Sequence, residues 1–426
     1  MKPFPISRGV MLCFFCLTLA FPSVSIGMDL HFESETRLRG FERDTPEDDN
    51  SFMMPAYEYL QLDVSGAGIE GLSFHAYGWG RANLGNDGFY EDDTSGEFLY
   101  GYFEYVHPDS TLNLKLGRFY IFEGFSNESI DGLRVKTNLG KYFTFSAYGG
   151  QSAALDNTDG RGGDSISGGR IAHRYNALYE IGTSYKVVQN DNKKQEEQLG
   201  FDVAAALPGD MSLYGFSTYN LESEGWAEHS WELRFSLGGF HIRPFFEHFQ
   251  YQDYFDTGAN TTGPFPFLRE SHEELSVYGI ETTKYLAKNW EGGFKAKAYE
   301  YEMRDSSQLY TALLNWYGED KTSVGVELSV MQGDAAKNDY LMGRLWFYYD
   351  PITVKIPSGF FTGDLVVINY NEEIHNEDTS LFLSFGVGNR YMNGALELEV
   401  SADYSADPFF DDDLRGMFVA RYLYDR

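Results

Sequence analysis

Thiols are almost missing from this chain. Its 426 residues include two cysteines, Cys13 and Cys16, both within residues 1–27. Beyond that segment the chain therefore has no means of forming a disulfide, a Cys-ligated metal site or a haem attachment through Cys-x-x-Cys-His. Long apolar runs are equally scarce. One spans 10–21, no other approaches the ~18 residues that a membrane helix needs, and the mean hydropathy is −0.38. An ordinary helical membrane protein is excluded. Basic residues are few, 33 Lys and Arg against 64 Asp and Glu, and so acidic a chain is not expected to bind nucleic acid. No Pro/Ser-rich linker or shift in composition marks a domain boundary.

The one apolar run has a recognisable setting. Lys2 and Arg8 precede it and the small residues Ser25-Ile26-Gly27 follow it, the order of a cleaved secretory signal. Residues 1–27 are read as the signal peptide and 28–426 as one exported domain beginning at Met28, with no lipid anchor.

What the chain does have is aromatic residues, 17% of the total, and alternation. In 111–118, Leu112, Leu114 and Leu116 alternate with Asn113, Lys115 and Gly117, the period of two that an extended strand produces. A short His-Pro-Asp-Ser turn joins this strand to the aromatic run 97–106, and a longer polar connection, 120–128, leads on to 130–136. The same signals repeated along the chain predict 22 strands: near 28–40, 56–66, 72–82, 96–106, 111–119, 129–138, 141–150, 164–173, 177–188, 198–206, 211–221, 228–237, 240–250, 273–284, 289–301, 308–317, 321–331, 339–349, 359–371, 378–389, 393–404 and 414–424. Most are long enough for the ~9–11 residues that cross a bilayer on a tilt. Odd-to-even connections such as 41–55, 83–95, 151–163, 251–272 and 405–413 read as long. Even-to-odd ones such as 107–110, 139–140, 207–210, 238–239 and 318–320 read as short. Sorting by parity, an even count and abundant aromatics for interfacial girdles predict an all-β fold: a closed antiparallel transmembrane β-barrel of about 22 strands (20–24), with short periplasmic turns and long acidic extracellular loops.

Individual strands show clean faces. Leu396, Leu398, Val400 and Ala402 oppose Glu397, Glu399, Ser401 and Asp403, and Val324, Val326, Leu328 and Val330 oppose Ser323, Gly325, Glu327 and Ser329. A charge on the lipid face costs up to about 2–4 kcal/mol at the midplane, so the polar set is expected to line the lumen. Without Lys2 and Arg8 the net charge is −33, and the eleven connections read as outer carry −25 of it. The predicted pore-lining residues are Arg37, Arg39, Arg81, Lys115, Arg134, Lys136, Arg170, Lys186 and Arg234 with Glu327, Glu397 and Glu399. Two expectations follow for them: a basic ladder facing acids across the pore, or charges that neutralise one another and stiffen the wall.

The segments Leu116-Gly117-Arg118, Glu123-Gly124 and Asp131-Gly132-Leu133-Arg134 resemble the Gly-Arg…Asp-Gly-Arg pattern of outer-membrane porins of the alginate-export and phosphate-selective kinds. The likeness covers about a tenth of the chain and implies the superfamily, not a substrate. Read for themselves, Gly117 and Gly132 suit wall positions where a bulge or a close loop leaves no room for a side chain. Phe418, Tyr422 and Tyr424 share one face of the last strand and resemble the aromatic C-terminal signal for barrel assembly, although Asp425-Arg426 follow. Asp411, Asp412 and Asp413 offer hard oxygen ligands but lack the spacing of a calcium loop, so no metal and no cofactor is expected. The histidines at 31, 75, 107, 173, 229, 241, 248, 272 and 375 show no catalytic spacing, and no enzyme activity is expected.

A porin-like channel in the outer membrane, passing small hydrophilic solutes or ions, is the leading expectation. The alternative is a barrel sheath around exported c-type cytochromes in an electron conduit, and an outer-membrane enzyme stands third. Lipid, lipopolysaccharide and the barrel assembly machinery are the expected partners. A homo-oligomer is compatible with the sequence, and filling of the lumen is left to a folded-in loop or a partner.

Overall fold

The computed structural model describes residues 28–43, 51–86, 90, 92–153, 164–190, 193–255, 273–303, 305–319, 321–333, 339–350, 358–408 and 410–425. The first strands are β1 (Asp29–Arg43), β2 (Ser51–Met53), β3 (Pro55–Ser65), β4 (Leu72–Asn83), β5 (Thr94–Val106), β6 (Leu112–Glu123), β7 (Ser126–Leu139) and β8 (Phe143–Ser152). There follow β9 (Ser165–Tyr175), β10 (Tyr179–Asn190), β11 (Lys193–Leu207), β12 (Met211–Asn220), β13 (Gly225–Leu237), β14 (Phe240–Gln250), a helical turn α1 (Tyr251–Phe255), β15 (Glu274–Ala287) and β16 (Trp290–Tyr301). The last are β17 (Ser307–Tyr317), β18 (Ser323–Gly333), β19 (Tyr340–Tyr349), β20 (Gly359–Ile374), β21 (Glu377–Tyr391), β22 (Leu396–Asp407) and β23 (Phe410–Asp425).

Consecutive strands pair antiparallel, and β1 pairs with β23 over ten residues, from His31 opposite Asp425 to Gly40 opposite Gly416. The sheet therefore closes. The three-residue β2 only extends the upper end of β1, so the barrel proper has 22 strands, each of them where the alternation predicts it. Closure satisfies the backbone without a sheet edge, the condition for spanning lipid with strands.

The connections differ from expectation. Both chain ends lie with the turns 66–71, 107–111, 140–142 and 238–239 at one end of the barrel. At the other end, several stretches expected as long loops are strand extensions: two-residue turns at 124–125 and 375–376 close two of them, and β10 runs to Asn190 and β11 from Lys193. These extensions carry polar residues at or near their ends, such as Glu123, Glu128, Glu196, Glu197, Glu372 and Glu373, and that polarity made them look like loop. Of the long connection 251–272, only α1 lies among the described residues.

Register separates the two faces. Val400 opposes Phe418, which opposes Leu38, and Leu116 opposes Leu133. This is the outer face, where Leu116 (59% exposed) and Val400 (55% exposed) have no protein over them. Glu397 opposes Arg421, and Arg421 opposes Glu35, on the inner face.

Candidate pore and constriction

One hairpin leaves the wall. Gly117, at φ 129°, stands where the β5–β6 ladder ends at the pair Gly101–Arg118. A Cβ on Gly132 would meet the carbonyl of Gly149 and the Cα of Gly150, so only glycine lets the two backbones close at the bend. In a straight hairpin Glu123 would lie eight residues along β6 from Lys115, the residue opposite Arg134, and so about 26 Å away. Instead, Arg134 Nε donates to Glu123 Oε1 at 2.8 Å. Residues 119–129 therefore fold back over the wall.

They fold onto the lumen side. Phe119, Ile121 and Ile130 pack with Tyr148, Ile166 and Val188, and four of the six are completely buried. Phe145, Ile171 and Tyr185 are exposed on the opposite face of the same strands. Burying each large apolar side chain contributes roughly 1.5–3 kcal/mol, so this cluster holds the hairpin down. At the tip, the Phe125 ring fills the space that a side chain at Gly200 would need, and Gly124 (φ 62°) lies against Ser184 and Asp202. Polar contacts add to the packing: Ser146 Oγ donates to Glu123 at 3.0 Å, Tyr148 Oη donates to Ser126 at 2.8 Å and Lys186 pairs with Glu128 at 2.7 Å. The hairpin is a constriction built from wall strands.

At α1, Asn220 Nδ2 donates to the Asp253 carbonyl at 2.6 Å, and the rings of Phe249 and Tyr254 are 4.4 Å apart. Burial, with Glu228 next in effect, raises the Tyr254 hydroxyl above its ordinary range.

The basic residues of the inner face are matched locally. Lys115 lies 3.7 Å from Glu104 and over the Tyr102 ring, and Arg134 is held by Glu123, with Lys136 4.0 Å from the same carboxylate. Arg170 pairs with Glu180 at 2.8 Å and Asp202 at 2.5 Å. Lys186 sits between Glu128 and Glu196, covered by the hairpin. Arg234 pairs with Glu232 at 2.5 Å. Arg81 stacks 3.7 Å over Tyr90, whose hydroxyl is pushed up to about 12 by burial and by Tyr57. Arg37 pairs with Glu35, whereas Arg39, on the same face, is exposed. Seven of these nine bases therefore have an acid within 4.0 Å, while Arg39 and Arg81 have no ion pair among the described residues.

Acids are matched too. Glu397 accepts from Arg390 and Arg421, each at 2.9 Å, and Arg421 also reaches Glu35. Arg390 continues the ribbon to Asp350 at 2.8 Å and to the Tyr348 hydroxyl, so charged contacts run unbroken across the seam where β23 meets β1. Glu327 opposes Arg344 in register, and Glu399 opposes Val419 on the inner face. Phe418, Tyr422 and Tyr424 oppose Leu38, Ser34 and Phe32, with Phe418 on the outer face as expected. Asp413 is engaged by Arg43 at 2.8 Å and by Arg415, which makes it a poor cation ligand. Asp412 is exposed, and the Asp411 side chain lies outside the described residues.

Glu123, Glu128, Asp202 and Arg421 were not legible as site residues, and neither was the Glu232–Arg243–Glu281 cluster with Lys295. In that cluster Arg243 lies 2.7 Å from each acid and Lys295 3.2 Å from Glu281. Their partners come from distant strands or from a fold-back that spacing does not encode.

The class defined by this fold is the outer-membrane type of closed β-barrel. Among solved structures the chain is similar to the P pilus usher (PapC) translocation pore, with 12% identity and a TM-score of 0.54 over 93% of this chain and 99% of that one. A BenF-like porin from Pseudomonas fluorescens Pf-5 aligns over 94% of this chain and 99% of its own at 9% identity and TM-score 0.48. Acinetobacter baumannii OccAB3 covers 93% and 99% at 10% identity and TM-score 0.44. The likeness to the usher pore carries the fold alone, and the two weaker overlaps carry no argument. No protein-family model and no curated protein matches the sequence.

Proposed function

We propose that the protein is a channel of the outer membrane that passes small hydrophilic solutes or ions through a lumen narrowed by the 119–129 hairpin. The observation that carries this is the division of the wall: a 22-strand ring encloses an inner face set with ion pairs and turns apolar residues outward. A ring of this size is wide enough for water unless it is filled. The residues proposed to meet solute are those whose charges remain partly exposed on the inner face: Arg37, Arg39, Arg234, Arg243 and Arg421. The end that carries both termini is assigned to the periplasm.

Single-channel recording on the refolded, signal-free protein in planar bilayers tests the reading. Discrete, ohmic conductance from the barrel by itself is expected. A protein that inserts, remains folded and never conducts removes the channel, and co-purification with haem-stained partners would replace it with the cytochrome sheath.

A further inference from the structure

Consecutive rows of the inner face carry aromatic rings on β3, β4 and β5. The row of Glu35, already placed on the inner face, continues through Tyr59 to Trp79. The next row toward the end opposite the termini joins Arg37 to Tyr57 and Arg81. On the other side, one row joins Gln61 to Tyr77 and Tyr100, and the next joins Asp63 to His75 and Tyr102. The rings touch in sequence: Tyr57 lies 6.3 Å from Tyr59 and 6.2 Å from Trp79, and Tyr100 lies 5.6 Å from Tyr77 and 5.9 Å from Tyr102. Tyr77 and Trp79 are alternate residues of β4, so they share a face ~6.6 Å apart and join the two groups. From Arg81 to His75 the lane runs over six residues of β4, about 20 Å. All six rings are half-buried, held by the wall with part of each open to the lumen.

The lane ends at the constriction. Tyr102 opposes Gly117 at the bend, and its ring lies edge-on to Phe119 at 6.0 Å. Because Phe119 and Ile121 turn toward the wall, the alternate residues Tyr120 and Phe122 turn toward the lumen, where they stack 6.2 Å apart with Phe122 72% exposed. Aromatic surface thus continues from the wall onto the hairpin. Polar groups border the rings. Arg37 lies over Tyr59 at 4.9 Å and Lys115 over Tyr102 at 4.5 Å, and Gln61 Nε2 donates to Asp63 at 2.8 Å. Each base along the lane is already engaged: Arg37 by Glu35, Lys115 by Glu104, and Arg81 by the Tyr90 ring and the Asp92 carbonyl. An anionic solute therefore meets no free base to offset its lost hydration, and a wholly apolar one would leave the bordering polar groups without water. The match is a neutral ring whose C–H groups, polarised by their oxygens, lie on the negative aromatic face while its hydroxyls reach Gln61, Asp63 and Arg37 at the edge. A pyranose has that form, and the spacing of the rings suits consecutive units of a linear chain.

We infer that this lane is a binding track for a neutral oligosaccharide, which passes along Tyr57, Trp79, Tyr77 and Tyr100 to the constriction and meets Tyr120 and Phe122 there. The inference rests on the channel reading and names a class of solute for it.

The test adds maltohexaose, a neutral linear glucan, to the whole refolded barrel in planar bilayers and reads interruptions of the single-channel current. Concentration-dependent block is expected. Trp79→Ala combined with Tyr100→Ala removes two stacking faces and should raise the half-blocking concentration by about tenfold or more. Trp79→Phe combined with Tyr100→Phe keeps the faces and should restore block. Polyethylene glycol of the same size has no sugar face, and hexagalacturonate is the anionic counterpart, so both should block less well than the glucan. Equal block by maltohexaose in the wild-type and double-Ala barrels overturns the lane, as does block by polyethylene glycol or hexagalacturonate at the same or lower concentration. Should the double-Ala variant not fold, the comparison of the three solutes on the wild-type barrel decides. A conducting barrel that maltohexaose does not block fails only the lane. A barrel that does not conduct fails the channel reading by itself, and titration calorimetry of the same three solutes into the folded barrel in detergent then decides the lane, with selective binding of maltohexaose supporting it and no such binding overturning it.

Discussion

Glu123 shows at the scale of one residue how the constriction is held. Its carboxylate is almost fully buried beneath the hairpin, where it accepts from Arg134 and Ser146 with Lys136 nearby. A hydrogen bond to a charged group contributes roughly 1.5–3 kcal/mol, and removing one partner leaves the other charge poorly compensated in a dry place. Glu123→Ala should therefore weaken the hairpin's hold by about that amount without unfolding the barrel, whose ladders do not involve this carboxylate. Larger or noisier single-channel openings are expected, together with faster proteolysis within 118–131. Conductance and cleavage identical to wild type would show that the apolar cluster holds the hairpin unaided. Lys186 makes a complementary case. It lies between Glu128 and Glu196, so Lys186→Met leaves two acids facing each other, and a lower refolding yield is expected, measured as the fraction of heat-modifiable band on a gel.

At the scale of the element, the strands were legible and the fold-back was not, for a reason visible in β6 itself. Leu112, Leu114 and Leu116 occupy even positions, but beyond Gly117 the apolar residues Phe119 and Ile121 are odd. On the return strand Ile130 is even and, beyond Gly132, Leu133 and Val135 are odd. The apolar phase switches at a glycine in both strands, because below the bend apolar residues face lipid and above it they face the inner wall. Strand-by-strand alternation registers the period and misses a change of phase, so 120–128 passed for a polar loop. The ion pairs were illegible for a related reason, since Arg170–Asp202 and Arg421–Glu35 depend on which strands become neighbours. The bend itself yields a prediction. Gly132→Val puts a side chain into backbone atoms of β8, so the hairpin cannot close there, and loss of the folded, heat-resistant band is expected. Phe125→Ala removes only the tip's anchor at Gly200, worth at most ~3 kcal/mol, and should leave folding intact while widening the pore. If both variants fold and conduct as wild type does, the bend and the tip do not set the constriction.

For the whole molecule, the balance of charge decides what the lumen does to ions. Residues 28–426 carry −33, yet most of the inner-face bases stand within 4.0 Å of acids, so the bases in those pairs are already matched. The sequence reading expects the eleven outer connections to carry −25 of it, and exposed charges there would act over a Debye length that falls from about 30 Å at 0.01 M salt to about 3 Å at 1 M. Cation preference should therefore be strong at low salt and fade as salt rises. Inside the lumen the range is short and the partners are fixed. Arg243 lies 2.7 Å from both Glu232 and Glu281, and changing it to Gln leaves two carboxylates facing solute with Lys295 as the cation still beside Glu281. The local charge becomes more negative by one, within contact distance of a passing ion, where screening by salt is least effective. Arg243→Gln should shift the reversal potential toward cations even at 1 M salt, while a variant with Asp412 neutralised, on an exposed carboxylate at the rim, should differ from wild type only at low salt. Reversal potentials under a tenfold salt gradient, measured at both absolute concentrations, separate the two effects. Equal values for wild type and Arg243→Gln at high salt would remove this cluster from the ion's path.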